Sequence, residues 1–96
     1  MNDKSEKVLE NRERFINLGL VIALIRKRKG FYQEQLAEKS TLSRSTISKI
    51  EAANLARPIT LDSLYKIADA LDMKAGDLLN FELLSRADLN CRFMAG

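Results

Sequence analysis

Apolar residues recur along the chain at intervals of three and four and almost nowhere alternate at every second position, a spacing that predicts helices and no sheet. Leu18, Ile22 and Ile25 mark one face of a first helix, which runs down to Arg26-Lys27-Arg28-Lys29 and stops at Gly30, a favoured helix terminator. Upstream, two readings fit. Val8, Phe15 and Ile22 keep a seven-residue step, and Asp3 and Glu6 are spaced as a capping pair, which suits a helix continuous from about Lys4. A frayed arm before Phe15 suits the same residues. Gln33 to Lys39 form a short second helix with Leu36 and Ala37 inward. Ser40-Thr41-Leu42 breaks it, and Ser43 is a strong N-cap for a third helix through Glu51, with Ile47 and Ile50 as its buried pair. Asn54 to Pro58 read as a loop. Thr60 caps a fourth helix whose stripe is Leu61, Leu64, Ile67, Ala68 and Leu71, and a fifth covers about Ala75 to Leu79.

The expected architecture is all-α, a five-helix bundle over 15–80. An N-terminal arm or helix extension occupies 1–14, and a C-terminal tail, 81–96, is a possible dimerisation segment. Ninety-six residues are enough for one helical core without staples. The longest apolar run, Leu20 to Ile25, is too short to cross a bilayer, and the charge-dense Met1 to Arg14 stretch is unlike an export signal. A single cysteine, Cys91, leaves no internal disulfide, and the lack of histidine removes the usual zinc ligand sets. The expectation is a cytoplasmic, reduced chain with no cofactor and no membrane contact. Asp62, Asp69, Asp72 and Asp77 read as caps and solvated carboxylates, so no catalytic set emerges and an enzyme is not expected.

The net charge of +3 is modest, and its distribution is more informative. Residues 1–25 balance. Residues 26–57 carry eight basic side chains (Arg26, Lys27, Arg28, Lys29, Lys39, Arg44, Lys49, Arg57) against Glu34, Glu38 and Glu51. Residues 60–96 lean acidic. A basic middle third is suited to a polyanion. The Arg26–Lys29 run itself is read as a last turn complementing its helix dipole.

Two short helices joined by a three-residue break outline a helix-turn-helix. With Ile47 and Ile50 inward at about 100° per residue, Ser45 and Lys49 project outward, flanked by Arg44 and Thr46. That surface holds hydrogen-bonding side chains and no carboxylate before Glu51. It suits the floor of a DNA major groove, where Arg and Lys donate to guanine O6 and N7.

Gln33-Glu34-Gln35-Leu36-Ala37-Glu38-Lys39, followed by Leu42-Ser43-Arg44-Ser45-Thr46-Ile47-Ser48-Lys49-Ile50-Glu51, resembles the Cro/phage-repressor (XRE) family. The likeness runs from about Leu18 to Leu79 and implies a lambda-repressor-like DNA-binding bundle. By that resemblance, Arg44, Ser45, Thr46 and Lys49 are base-reading positions. Gln33, Ser43, Asn54 and Arg57 are phosphate contacts, and Arg26 with Glu51 is a structural ion pair. The chain departs from the family pattern at Thr41, where the turn commonly has Gly, at Ala52-Ala53, and at Tyr32, where a small N-cap is usual.

Leu20, Val21 and Leu24 lie outside the Leu18-Ile22-Ile25 face and call for a second burial surface. Phe81, Leu83, Leu84 and Leu89 of the tail can cover it from the same chain or from a second copy. A homodimer is the expectation, with Leu20, Val21, Leu24, Phe81 and Leu84 in contact. Two-fold symmetry then sets the recognition helices roughly 34 Å apart on a palindromic double-stranded DNA operator. The function expected is a sequence-specific transcriptional regulator, in first place a repressor. The alternatives are a DNA-binding antitoxin, a restriction–modification controller, or a protein-interaction module of the anti-repressor type.

Overall fold

The computed structural model describes residues 3–81 and 83, and its regular elements are five helices. They are α1 (Asp3–Arg28), α2 (Gln33–Ser40), α3 (Arg44–Glu51), α4 (Leu61–Ala70) and α5 (Ala75–Asn80). Of the two readings for the first residues, the continuous helix is the one observed. At 1.5 Å per residue α1 is about 39 Å long, close to the 43 Å long axis of the molecule.

Three helices end in the same way. In each, a left-handed residue one or two positions past the helix donates its N–H to the carbonyl three residues back, and the next N–H reaches the carbonyl one residue further back. Gly30 (φ 79°) does this for α1, with Phe31 N–H on the Arg26 carbonyl at 3.0 Å. Thr41 (φ 61°) does it for α2, with Leu42 N–H on Ala37 at 3.1 Å. Asp72 (φ 57°) does it for α4, with Met73 N–H on Ala68 at 2.9 Å. Only the first position has glycine, so the other two hold a side chain in a conformation that disfavours one.

The core joins Leu18, Val21, Ile22 and Ile25 of α1 to Leu36 and Ala37 of α2 and Ile47 and Ile50 of α3. Leu64, Ile67 and Ala68 of α4, Leu71 just beyond it, and Leu78 of α5 complete it. Val21 corrects the sequence reading. It is fully buried, because it falls three residues after Leu18 and four before Ile25, on the core side of α1. It therefore needs no second surface, whereas Leu20 and Leu24 remain half-buried. Leu61 also departs from expectation. It is 67% exposed, because it opens α4 one turn ahead of the packed Leu64. Leu83 packs against the core and Phe81 stays at the surface. Leu84, Leu89 and Cys91 lie outside the described residues.

α1 packs on α3 and α5, and α2 packs on α3 and α4. Gly19 makes the first of these contacts possible. A Cβ at this position would overlap the carbonyl oxygen of Ile50, so α1 and α3 touch backbone to backbone. Asn17 fixes the chain beyond α5. Its Nδ2 donates to the Phe81 carbonyl at 2.8 Å, and its Oδ1 accepts from Leu83 N–H at 2.7 Å.

Candidate nucleic-acid interface

The turn between α2 and α3 is short because Thr41 reverses the chain in the left-handed region, where its Oγ1 donates to the Ser40 carbonyl at 2.6 Å. Ser40 is buried, with its hydroxyl donating to Ala37 O at 3.2 Å. Ser43 then opens α3 as its sequence suggests, accepting the Thr46 N–H on Oγ at 3.0 Å. The Thr46 hydroxyl turns back to the same oxygen, 2.8 Å away. Thr46 thus serves the cap and is half-buried, and it stands apart from the outward ridge where the sequence reading put it.

Ile47 and Ile50 anchor the rear of α3 in the core, and Arg44, Ser45 and Lys49 are exposed on its front. Ser45 and Lys49 are one turn apart and so share a face. Ile47 N–H makes the first intrahelical bond, to the Ser43 carbonyl at 3.1 Å. The amides of Arg44 and Ser45 precede any intrahelical acceptor, and such helix-opening donors suit anions.

Behind the ridge lies a polar brace. Arg26 Nε and Nη2 donate to the two carboxylate oxygens of Glu51 at 2.8 and 3.0 Å, and Nη1 donates to the Phe31 carbonyl at 2.7 Å. Gln33 Nε2 donates to Glu51 Oε1 at 3.0 Å. The ion-pair side chains are only 9% and 5% exposed, so this network ties the end of α1, the start of α2 and the end of α3 into one unit. A planar guanidinium makes the bidentate pairing possible. The Gln33 amide is turned into this brace, which makes it a support for the recognition helix first.

Around the ridge, Asn54 and Arg57 are exposed on the loop after α3. Buried Ala56, left-handed at φ 46°, bends that loop, and Arg12 Nη2 reaches the Asn54 carbonyl at 3.5 Å. Tyr32 precedes α2 with its N–H on Gln35 Oε1 at 2.7 Å. With Arg26, Gln33, Glu34 and Arg44 it lines an open cleft beside the start of α3. Glu34 Oε1 lies 3.7 Å from Arg44 Nε, an exposed pair at the front of α3.

Sequence reasoning singled out neither Glu34, Asn17 nor Arg12, and did not see the purpose of Gly19. A glycine within a helix is a signal in its own right, because it weakens the helix by about 1 kcal/mol relative to Ala unless packing requires it. Asn17, polar within an apolar run, was a second available signal.

A short helix, a tight turn and a capped second helix with a polar front define a helix-turn-helix protein. The helix-turn-helix family model matches residues 22–78, and the chain belongs to this family, in its XRE-type branch. It is 36% identical over 67 residues to the HTH-type transcriptional regulator SlrR of Bacillus subtilis, a match covering 70% of the chain and 43% of the relative. The chain thus spans less than half of that relative's length. Among solved structures it is similar to the restriction-modification controller protein C.AhdI from Aeromonas hydrophila. That match has a TM-score of 0.62 and 33% identity, and covers 67% of this chain and 94% of that one. It is similar also to the wild-type restriction-modification controller protein C.Esp1396I, with a TM-score of 0.60, 36% identity, and coverage of 69% and 87%.

Proposed function

We propose that the chain is a sequence-specific DNA-binding transcriptional regulator that sits as a homodimer on a palindromic operator, with α3 in the major groove. The observation that carries this reading is the ridge of Arg44, Ser45 and Lys49, held outward by Ile47 and Ile50 and begun by a capped helix N-terminus. Arg44 and Lys49 donate to guanine edges, and Ser45 serves a base edge or a phosphate. Ser43 with the open amides of α3, and Asn54 with Arg57 on the following loop, hold the two phosphate backbones. Gln33 acts with Arg26 and Glu51 to hold α3 at a fixed angle. Binding is therefore pre-organised, and occupancy of the operator blocks or recruits polymerase at a cytoplasmic promoter without any catalytic step.

The second reading, a controller of a restriction–modification system, is favoured by the match to C.AhdI over 94% of that chain. It uses the same DNA chemistry and differs only in the genes controlled. Neither reading invokes a metal, and none of the described residues form a His/Cys/Asp/Glu group able to hold one. No helix among the described residues is long and apolar enough to cross a membrane.

Fluorescence anisotropy with a random-sequence duplex tests the general claim. Phosphate neutralisation predicts an affinity that falls more than about ten-fold between roughly 50 and 200 mM salt. Absence of binding at low salt, or binding indifferent to salt, contradicts it.

A further inference from the structure

α1 carries an apolar stripe that the described residues cover only in part. Leu9, Glu13, Ile16, Leu20, Ala23 and Lys27 follow one another at steps of four, three, four, three and four, the spacing of a coiled-coil seam. The neighbours of α1 locate this stripe. α3 touches α1 at Gly19, and the 81–83 segment is held at Asn17. At 100° per residue the stripe falls between those two contacts, on the side away from Leu18, Ile22 and Ile25. None of its six residues is buried, and Leu9 is 59% exposed. The family match begins at residue 22, so Leu9, Glu13 and Ile16 lie upstream of the matched region.

We propose that this stripe is the seam between two copies of the chain, their α1 helices crossing antiparallel about a two-fold axis at Leu20. The inference rests on the homodimer proposed above and names its contact. Charge placement argues for a second copy as the occupant. Glu13 and Lys27 lie seven residues on either side of Leu20, so the two-fold operation brings each Glu13 opposite the Lys27 of the other copy, twice per dimer. Neither residue forms an ion pair among the described residues. Ile16 comes level with Leu24, one residue past the smaller Ala23, so a large side chain lies beside a small one across the seam. A DNA-binding arm would need a basic excess, whereas residues 3–14 carry four acidic and four basic side chains. A neutral, mixed-sign helix is instead complementary to its own reversed copy.

Sedimentation equilibrium on the full chain, with E13K, K27E and the E13K/K27E double variant, tests the seam. The wild type should be a dimer. Each single variant places like charges opposite each other twice and should weaken the dimer about ten-fold, while the double variant should return to within about three-fold of wild type. Circular dichroism should show the same helix content in all four. A wild-type dimer indifferent to either single change overturns the seam and leaves the homodimer standing. Single variants that weaken association without rescue by the double also overturn the seam. If the wild type is a monomer, the homodimer and the seam fall together. A monomer whose melting temperature drops in the variants shows the stripe covered by residues 84–96 of its own chain instead.

Discussion

Arg26, in the last turn of α1, and Glu51, the last residue of α3, meet through two parallel hydrogen bonds of 2.8 and 3.0 Å in a nearly solvent-free position. The pair joins the scaffold helix to the recognition helix. Removing one partner leaves the other charge buried, whereas removing both leaves no charge to desolvate. Glu51→Ala should lower stability by about 3–5 kcal/mol, and Arg26→Met with Glu51→Leu should recover most of that loss. Urea denaturation of both variants decides. Equal stability of the single variant and wild type would show that the pair holds nothing.

Gly19 and Gly76 make opposite predictions for the same substitution. Gly19→Ala drives a methyl group into the Ile50 carbonyl, backbone that can yield only by moving α3 away from α1. It should destabilise by about 1–3 kcal/mol and weaken DNA binding with it. Gly76, in α5, has nothing within 4 Å of where a Cβ would stand. Gly76→Ala should stabilise by about 0.4–1 kcal/mol, through reduced freedom of the unfolded chain. Thermal melts of the two variants should therefore move in opposite directions.

What could be read from the sequence, and what could not, divides along physical lines. The turn region and the limits of α2 and α3 were legible because caps and breakers act locally: Gly30 stops α1 and Ser43 opens α3 through bonds to near neighbours. The outward direction of Arg44, Ser45 and Lys49 was legible because Ile47 and Ile50 fix the phase of a short helix. α1 was harder. It is apolar on several sides, so periodicity could not place Val21 in the core and Leu20, half-buried, at its edge. The Asn17 clamp joins residues 64 and 66 positions apart, and no local pattern announces it. Thr46 was misplaced among the outward side chains because its hydroxyl had a nearer partner in Ser43.

Thr41 occupies a left-handed position that costs a β-branched residue about 1–2 kcal/mol. Thr41→Gly removes that strain and loses only the hydroxyl bond to Ser40 and some rigidity of the unfolded chain. A net gain of about 0.5–1 kcal/mol is expected, with DNA affinity unchanged, since the turn keeps its path. Chemical denaturation alongside a DNA titration checks both halves.

Glu34 holds Arg44 in an exposed pair, and such pairs contribute at most about 1 kcal/mol. In the proposed docking its carboxylate also faces the phosphates. Glu34→Gln should leave folding stability unchanged and tighten binding to random duplex DNA about two- to five-fold at low salt. An affinity that falls instead would mean that Glu34 orients Arg44 for binding.

The reading face itself is tested most directly by selecting from random duplexes on the purified wild type and on Lys49→Ala and Arg44→Ala in parallel. Wild type should enrich one palindromic site with half-sites about one helical turn apart. Each variant should relax a single base position in both halves, at about 1–3 kcal/mol in a titration on the enriched site. Failure of wild type to enrich any sequence, or variants that select and bind the same site as tightly as wild type, would contradict the account.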